Sequence, residues 1–193
     1  MKYYTKQLYI DDQVPPVSFD IDMSEINAVM ADSSNLYESE KAKIINDFFV
    51  RCLSEIDETA FEESEKRNQK IHDAYSEHCK RIEPYLSDVV KEKFINNTMH
   101  DCAILKSDFV GDDLIMDIDS SGGFCDVIKL MFINAKIIEC DIDLNGAWWI
   151  HEEVYMQQDG YELHVLFHSK DCELGEMIIT FDEIEIEKSE AEE

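Results

Sequence analysis

The residues best suited to chemistry crowd into one stretch, Gly146 to His168, which holds Trp149, His151, Glu153, Tyr155, Glu162, His164 and His168. Histidine with carboxylate is a ligand set for zinc or iron, so a metal-dependent hydrolase is one reading of the segment. His164 and His168 cannot share an ion on a strand, because four residues cover roughly 13 Å there, whereas each ligand must come within about 2 Å of the metal. His151-Glu152-Glu153 lacks the second histidine of a helical HExxH pair. A cross-strand set of His151, Glu153 and His164 is what remains of the metal reading. The plainer expectation is a polar, aromatic docking face that needs no cofactor and no metal.

Other candidates are weaker. Asp117 with Asp119, and Asp141 with Asp143, are same-face neighbours about 6.6 Å apart on a strand, close enough to divide acid and base roles. In a chain with 44 acids such pairs arise by chance, and an acidic strip facing solvent or a partner is the expectation. Asp108, Asp112 and Asp113 do not fit a DxDxDG calcium loop. His100-Asp101-Cys102 and Gly122-Gly123-Phe124-Cys125 suggest a thiol nucleophile, but the acidic neighbourhood disfavours a thiolate and a core role is expected. No Walker A loop, GxGxxG, GxSxG or paired zinc spacing occurs.

Charge narrows the choice of partner. The formal net charge is −27, and residues 99–193 carry 24 acids against five bases. Such a surface repels nucleic-acid phosphates and anionic membranes and steers basic proteins toward it. The six cysteines, Cys52, Cys79, Cys102, Cys125, Cys140 and Cys172, include no CxxC. The opening MKYYTKQLYIDD has no secretory apolar core, so free thiols in a reducing, cytoplasmic setting are expected. No apolar run approaches the roughly 20 residues that span a bilayer.

The elements that must position these residues divide the chain in two. All three prolines precede residue 85 and all six glycines follow residue 110, which predicts a helical region over 1–98, an antiparallel β region over 99–187 and a disordered acidic tail over 188–193. Ile44, Phe48, Cys52 and Ile56 recur at helical spacing, and Ile71, Ala74, Tyr75, Cys79 and Ile82 make a second stripe that Pro84 ends. Tyr85 to Phe94 suits a short third helix. The stretch before residue 35 reads either as an edge strand or as an extended arm. From Asp101 the period is two, giving seven strands: 102–109, 114–119, 124–133, 136–142, 147–156, 161–168 and 176–187. Short Gly- and Asp-rich turns between them predict a meander.

Within it, a four-residue turn at Gln157–Gly160 pairs Met156 with Tyr161, Glu153 with His164 and Trp149 with His168. Trp148, Ile150, Val154 and Met156 then face the core, and Trp149, His151, Glu153 and Tyr155 face out. Glu152 would fall on the core side, so it reaches an edge or a bulge shifts the register.

MKYYTKQLY, His-Asp-Cys at 100–102, Ser-Gly-Gly-Phe at 121–124, Asn134-Ala135, Gly-Ala-Trp-Trp and Asp-Gly-Tyr-Glu-Leu-His-Val-Leu together resemble an uncharacterised bacterial family with a helical front and a β-rich back. That resemblance implies the layout and supplies no catalytic residues. Acidic immunity proteins of bacterial toxin systems are similar more loosely, in class and charge alone. The expectation is an α+β protein with N-terminal helices on a curved antiparallel meander, a half-barrel or roll. Its function would be noncatalytic binding of a basic protein, as an immunity protein or inhibitor of a toxin or nuclease. A phage-type DNA mimic is a special case. The alternatives are the metal-dependent hydrolase and a structural homodimer sealed by Trp148 or Trp149.

Overall fold

The computed structural model describes residues 1–13, 58–123, 125–171 and 173–189. The chain divides into two compact units, one of residues 1–9 and 70–193 and the other of residues 10–69. The helix expected around Ile44–Ile56, and Pro15 to Met23, lie outside the described residues.

Helix α1, Lys6–Gln13, stands where a strand or an extended arm was expected. Thr5 starts it: its Oγ1 accepts from the Leu8 amide at 3.2 Å and its carbonyl from the Tyr9 amide at 3.0 Å. Helix α2, Glu58–Ile82, ends where Pro84 begins a 3₁₀ turn at Glu83–Tyr85. The third helical segment is shorter than its pattern. Helix α3, Asp88–Lys91, is capped by Ser87 and runs into a π turn at Glu92–Asn96. Ser87 also ties it to the strands, its amide donating to Tyr161 Oη at 3.0 Å and its hydroxyl donating to Glu183 at 2.8 Å.

Eight antiparallel strands follow: β1 Ala103–Val110, β2 Asp113–Asp119, β3 Val127–Ile133, β4 Lys136–Cys140, β5 Trp148–Met156, β6 Tyr161–His168, β7 Leu174–Phe181 and β8 Glu183–Lys188. Their order is β4-β7-β6-β5-β1-β2-β3-β8, which makes the protein α+β with a curved antiparallel sheet. The pattern read as one strand over 176–187 is two, separated at Asp182. β3 continues through Asn134 and Ala135 into β4, and β7 through Asp182 into β8, so the long pair β3–β4 and β7–β8 bends as one. Asn134 takes the left-handed conformation this corner requires, with φ 51°. At the other side β1 and β5 meet at a narrow seam, Ala103 opposite Trp148.

This bending turns both halves of the sheet inward. Leu114, Met116, Leu130 and Phe132 from one half share a single apolar cluster with Val154, Leu163, Phe167, Met177 and Phe181 from the other. Phe132 and Phe181 meet edge to face, 5.0 Å between ring centres. Val90 of α3 and Phe94 of the π turn are buried in the same cluster. At the carboxy end, Lys188 closes β8 and the Ser189 amide bonds to Asp126 O at 2.8 Å, while residues 190–193 lie outside the described residues.

Candidate functional site

Strands β5 and β6 are buried on both faces, which an ordinary half-exposed strand is not. Met156 pairs with Tyr161 and Glu153 with His164 as their alternation predicts, but Trp148, not Trp149, lies opposite His168. A bulge between Trp149 and His151 inserts Ile150 as an extra residue and reverses the parity before it. Trp149 is therefore fully buried, and Trp148 is 50% exposed. The expectation that Trp149 anchors a partner is corrected, because its indole sits in the core.

The second face of these strands is covered by residues 1–9 and the last turns of α2. Glu153, fully buried, accepts three consecutive backbone amides, Lys2 at 2.7 Å, Tyr3 at 2.9 Å and Tyr4 at 2.6 Å, as well as the Tyr155 hydroxyl. Burial and the Glu153 charge push the Tyr155 phenol well above its ordinary pKa. The Lys2 ammonium lies over the Tyr155 ring, 4.4 Å from its centre. Around this carboxylate gather rings: Tyr3 and Tyr4 against Tyr75, His78 against Tyr155, His151 stacked on Tyr4, His164 against Tyr155 and His168 against Tyr9. His164 Nε2 pairs with Glu162 Oε1 at 2.7 Å, and His168 Nε2 lies 3.2 Å from Tyr9 Oη.

The structure thus brings Glu153, Tyr155, Glu162 and His164 together, and His151 and His168 beside them, beneath an internal cover. Glu153, Tyr155 and His164 are buried, which corrects the expectation that this face stands open to a partner. The cross-strand metal set does not assemble either, since four donors already occupy the Glu153 oxygens. Among the described residues no group of three or more His, Cys, Asp or Glu is placed to hold a metal ion.

The paired acids have local partners. Asp117 stands across from Lys106 on β1 and Lys129 on β3, and Lys129 bonds Glu187 at 2.9 Å, so one cross-strand row alternates in charge. Asp119 accepts from the Ser121 amide and Asp143 from the Asn145 amide, each closing its own turn. Asp141 receives Lys6 and the Glu176 amide, and despite partial desolvation these contacts hold its carboxyl below the ordinary range. Neither Asp pair is a free catalytic dyad.

A cleft of about 360 Å³ opens beside this cover, lined by Tyr4, His72, Tyr75, Cys79, His151 and Glu152 among others. Its distinctive group is Glu152. Burial raises its carboxyl pKa, against bonds from Trp149 Nε1 at 2.7 Å and the Met99 amide at 3.3 Å that favour the charged form. Burial likewise raises the Tyr75 phenol and the Cys79 thiol. In this cleft burial disfavours the charged form of all three groups. Glu152, placed by alternation on the core side, was the sequence signal for it; Tyr75 and Cys79 looked like ordinary positions on an apolar helix stripe.

An α+β fold with a curved sheet and an internally covered polar layer does not by itself define an activity. The chain belongs to the family described as protein of unknown function (DUF4085), whose match spans residues 41–180. The His100-Asp101-Cys102, Gly146–Trp149 and Asp159–Leu166 segments lie inside that span and the opening MKYYTKQLY lies before it. No curated protein and no solved structure matches the chain. No described helix is long and apolar enough to cross a membrane.

Proposed function

We propose that the chain is a noncatalytic binding protein whose β region engages a basic protein partner. The reading rests on the charge that remains once internal pairs are counted. Residues 99–193 hold 24 acids and five lysines, and three of those lysines are already paired, Lys106 with Asp108, Lys129 with Glu187 and Lys188 with Asp126. The excess negative field raises association rates with a cationic partner roughly 10- to 1,000-fold and weakens with salt. With Trp149, Glu153 and Tyr155 buried, exposed acids such as Asp112, in the turn between β1 and β2, and Glu185, on β8, are the better contacts. An inhibitor or immunity protein of a basic toxin or nuclease is the form of this role that a reducing compartment suits. The half-exposed Trp148 supports a second reading, a homodimer sealed by that indole.

The test is isolation of the tagged full chain from its native cells at about 0.15 M salt. A stoichiometric basic protein that dissociates as salt rises, and associates more slowly with the Asp112→Lys, Glu185→Lys double variant, is expected. Recovery of the chain alone, or with a partner indifferent to salt and to that variant, overturns the reading.

A further inference from the structure

The joint between helices and strands holds two thiols that the binding role does not use. Cys102 is 1% exposed and Cys125 half-buried, and their sulfurs lie 3.5 Å apart. A disulfide needs about 2.05 Å, so closing the gap takes roughly 1.5 Å of movement. Cys102 is fixed from both sides, its amide bonded to Met99 O at 3.0 Å and its carbonyl to the Trp149 amide at 2.8 Å. The turn between β2 and β3 comes to it. A Cβ at Gly123 would stand 2.5 Å from Cys102 Sγ, so glycine is what lets that turn lie against the sulfur.

Access is one-sided. Cys125, Gly123 and Lys93 line a cleft of about 440 Å³, and Lys93 is buried, at 3% exposure. Its charge favours a thiolate at Cys102, but desolvation and the neighbouring Cys125 dominate and push that thiol up to about 12. Cys125 is the sulfur a reagent meets first. Cys79 lines a different cleft, and Cys140, though exposed, points its thiol at Ile142 O, 3.2 Å away.

We propose that Cys102 and Cys125 form a reversible redox pair, oxidised to a disulfide by a hydroperoxide entering the cleft beside Lys93. Cys125 sulfur attacks the peroxide oxygen, the O–O bond breaks, and the leaving alkoxide takes up the Cys125 proton to depart as alcohol, leaving a sulfenic acid. Cys102 sulfur then attacks the Cys125 sulfur. The S–O bond breaks, and hydroxide leaves with the Cys102 proton as water. The two sulfurs together give up two electrons, which reduce the peroxide. A small thiol reverses the step by exchange.

The experiment treats the reduced, folded full chain with hydrogen peroxide, then counts free thiols and maps linked peptides by mass spectrometry. Two thiols are lost, one cross-link joins the Cys102 and Cys125 peptides, and dithiothreitol restores both. Cys125→Ser abolishes the link and leaves Cys102 reduced. Cys102→Ser leaves Cys125 as a sulfenic acid that a cyclic dione traps. If that buried variant does not fold, the native map and Cys125→Ser still decide. Oxidation of Cys140 or Cys79 without the link, or a link that forms only after denaturation, overturns the proposal.

Discussion

Trp149 donates its indole N–H to Glu152, three residues on, at 2.7 Å, although residues three apart on a regular strand point to opposite faces. The bulge at Ile150 puts them on one side. Glu152 is thereby held in the interior, and burial raises its pKa above the ordinary 4.5. Below that value folded and unfolded chains are both protonated, and the group's contribution to stability is at its fullest. As pH rises, the unfolded chain ionises first, so stability falls by up to about 1.4 kcal/mol per pH unit until the folded carboxyl ionises too. Glu152→Gln keeps an oxygen for Trp149 and removes the proton. The variant minus wild-type difference in denaturation free energy should grow from pH 4.5 toward neutrality, in the variant's favour. A difference that stays flat across that range would show that Glu152 ionises normally in the fold.

Much of the fold is written in the period-two pattern, because alternation directly reports which side chains face a core. Six of the eight strands fall close to where alternation puts them, and the β5–β6 hairpin pairs as read from Met156 to Glu153. What the pattern hides is any single extra residue. Bulges in β1, β3, β4 and β5 each shift the register by one, and no composition rule separates Ile150 as a bulged residue from Ile150 as a core residue. The split at Asp182 was legible. Met177, Ile179 and Phe181 point inward at odd positions, whereas Glu183, Glu185 and Glu187 occupy the next odd ones, so the parity must change between them. The Glu153 cover was not legible, because its donors are backbone amides about 150 residues away, and amides carry no side-chain signature.

Glu153 gathers four donors from two distant parts of the chain. Three amides and a phenol converge on its fully buried carboxylate. Glu153→Ala takes from the part-buried Lys2, Tyr3 and Tyr4 amides and the Tyr155 hydroxyl their shared acceptor and should cost about 3 kcal/mol. Glu153→Gln, which keeps one acceptor oxygen, should cost less. Hydrogen exchange localises the effect: the amides of Lys2, Tyr3 and Tyr4 lose protection in Glu153→Ala, while the β7 amides change only as far as global stability falls. Unchanged exchange at those three amides would mean that the cover is held by its rings and not by this carboxylate.

The two tryptophans give an optical check of the bulge. Trp148 is half exposed and Trp149 is sealed against Phe167, 5.2 Å between ring centres. Acrylamide should quench the emission of Trp149→Phe strongly and that of Trp148→Phe weakly. Truncation should follow the same order. Trp149→Ala costs about 3 to 5 kcal/mol, and Trp148→Ala stays within about 0.5 kcal/mol. The reverse order, with Trp149 the more strongly quenched indole, would return the register to unbroken alternation. Trp148→Asp also addresses the homodimer, since that reading expects a dimeric wild type whose mass by light scattering halves in the variant, and an unchanged mass removes it.

Gly160 and Gly111 separate backbone handedness from space. Both have positive φ, 99° and 68°, but a Cβ at Gly160 would stand 2.3 Å from Phe181 O, whereas nothing lies within 4 Å of one at Gly111. Gly160 ends the β5–β6 turn, where its carbonyl accepts from the Gln157 amide at 3.1 Å and its Cα lies against the corner that turns β7 into β8. The clash there is with main chain, which no rotamer change relieves. Gly111→Ala should cost about 1 kcal/mol, the left-handed penalty alone, and Gly160→Ala that amount plus about 1 to 3 kcal/mol for the forced backbone shift. Urea denaturation of the two variants reads the gap directly. Equal costs would place the Asp182 corner farther from the hairpin than the structure has it, and with it the bend that turns the two halves of the sheet toward one core.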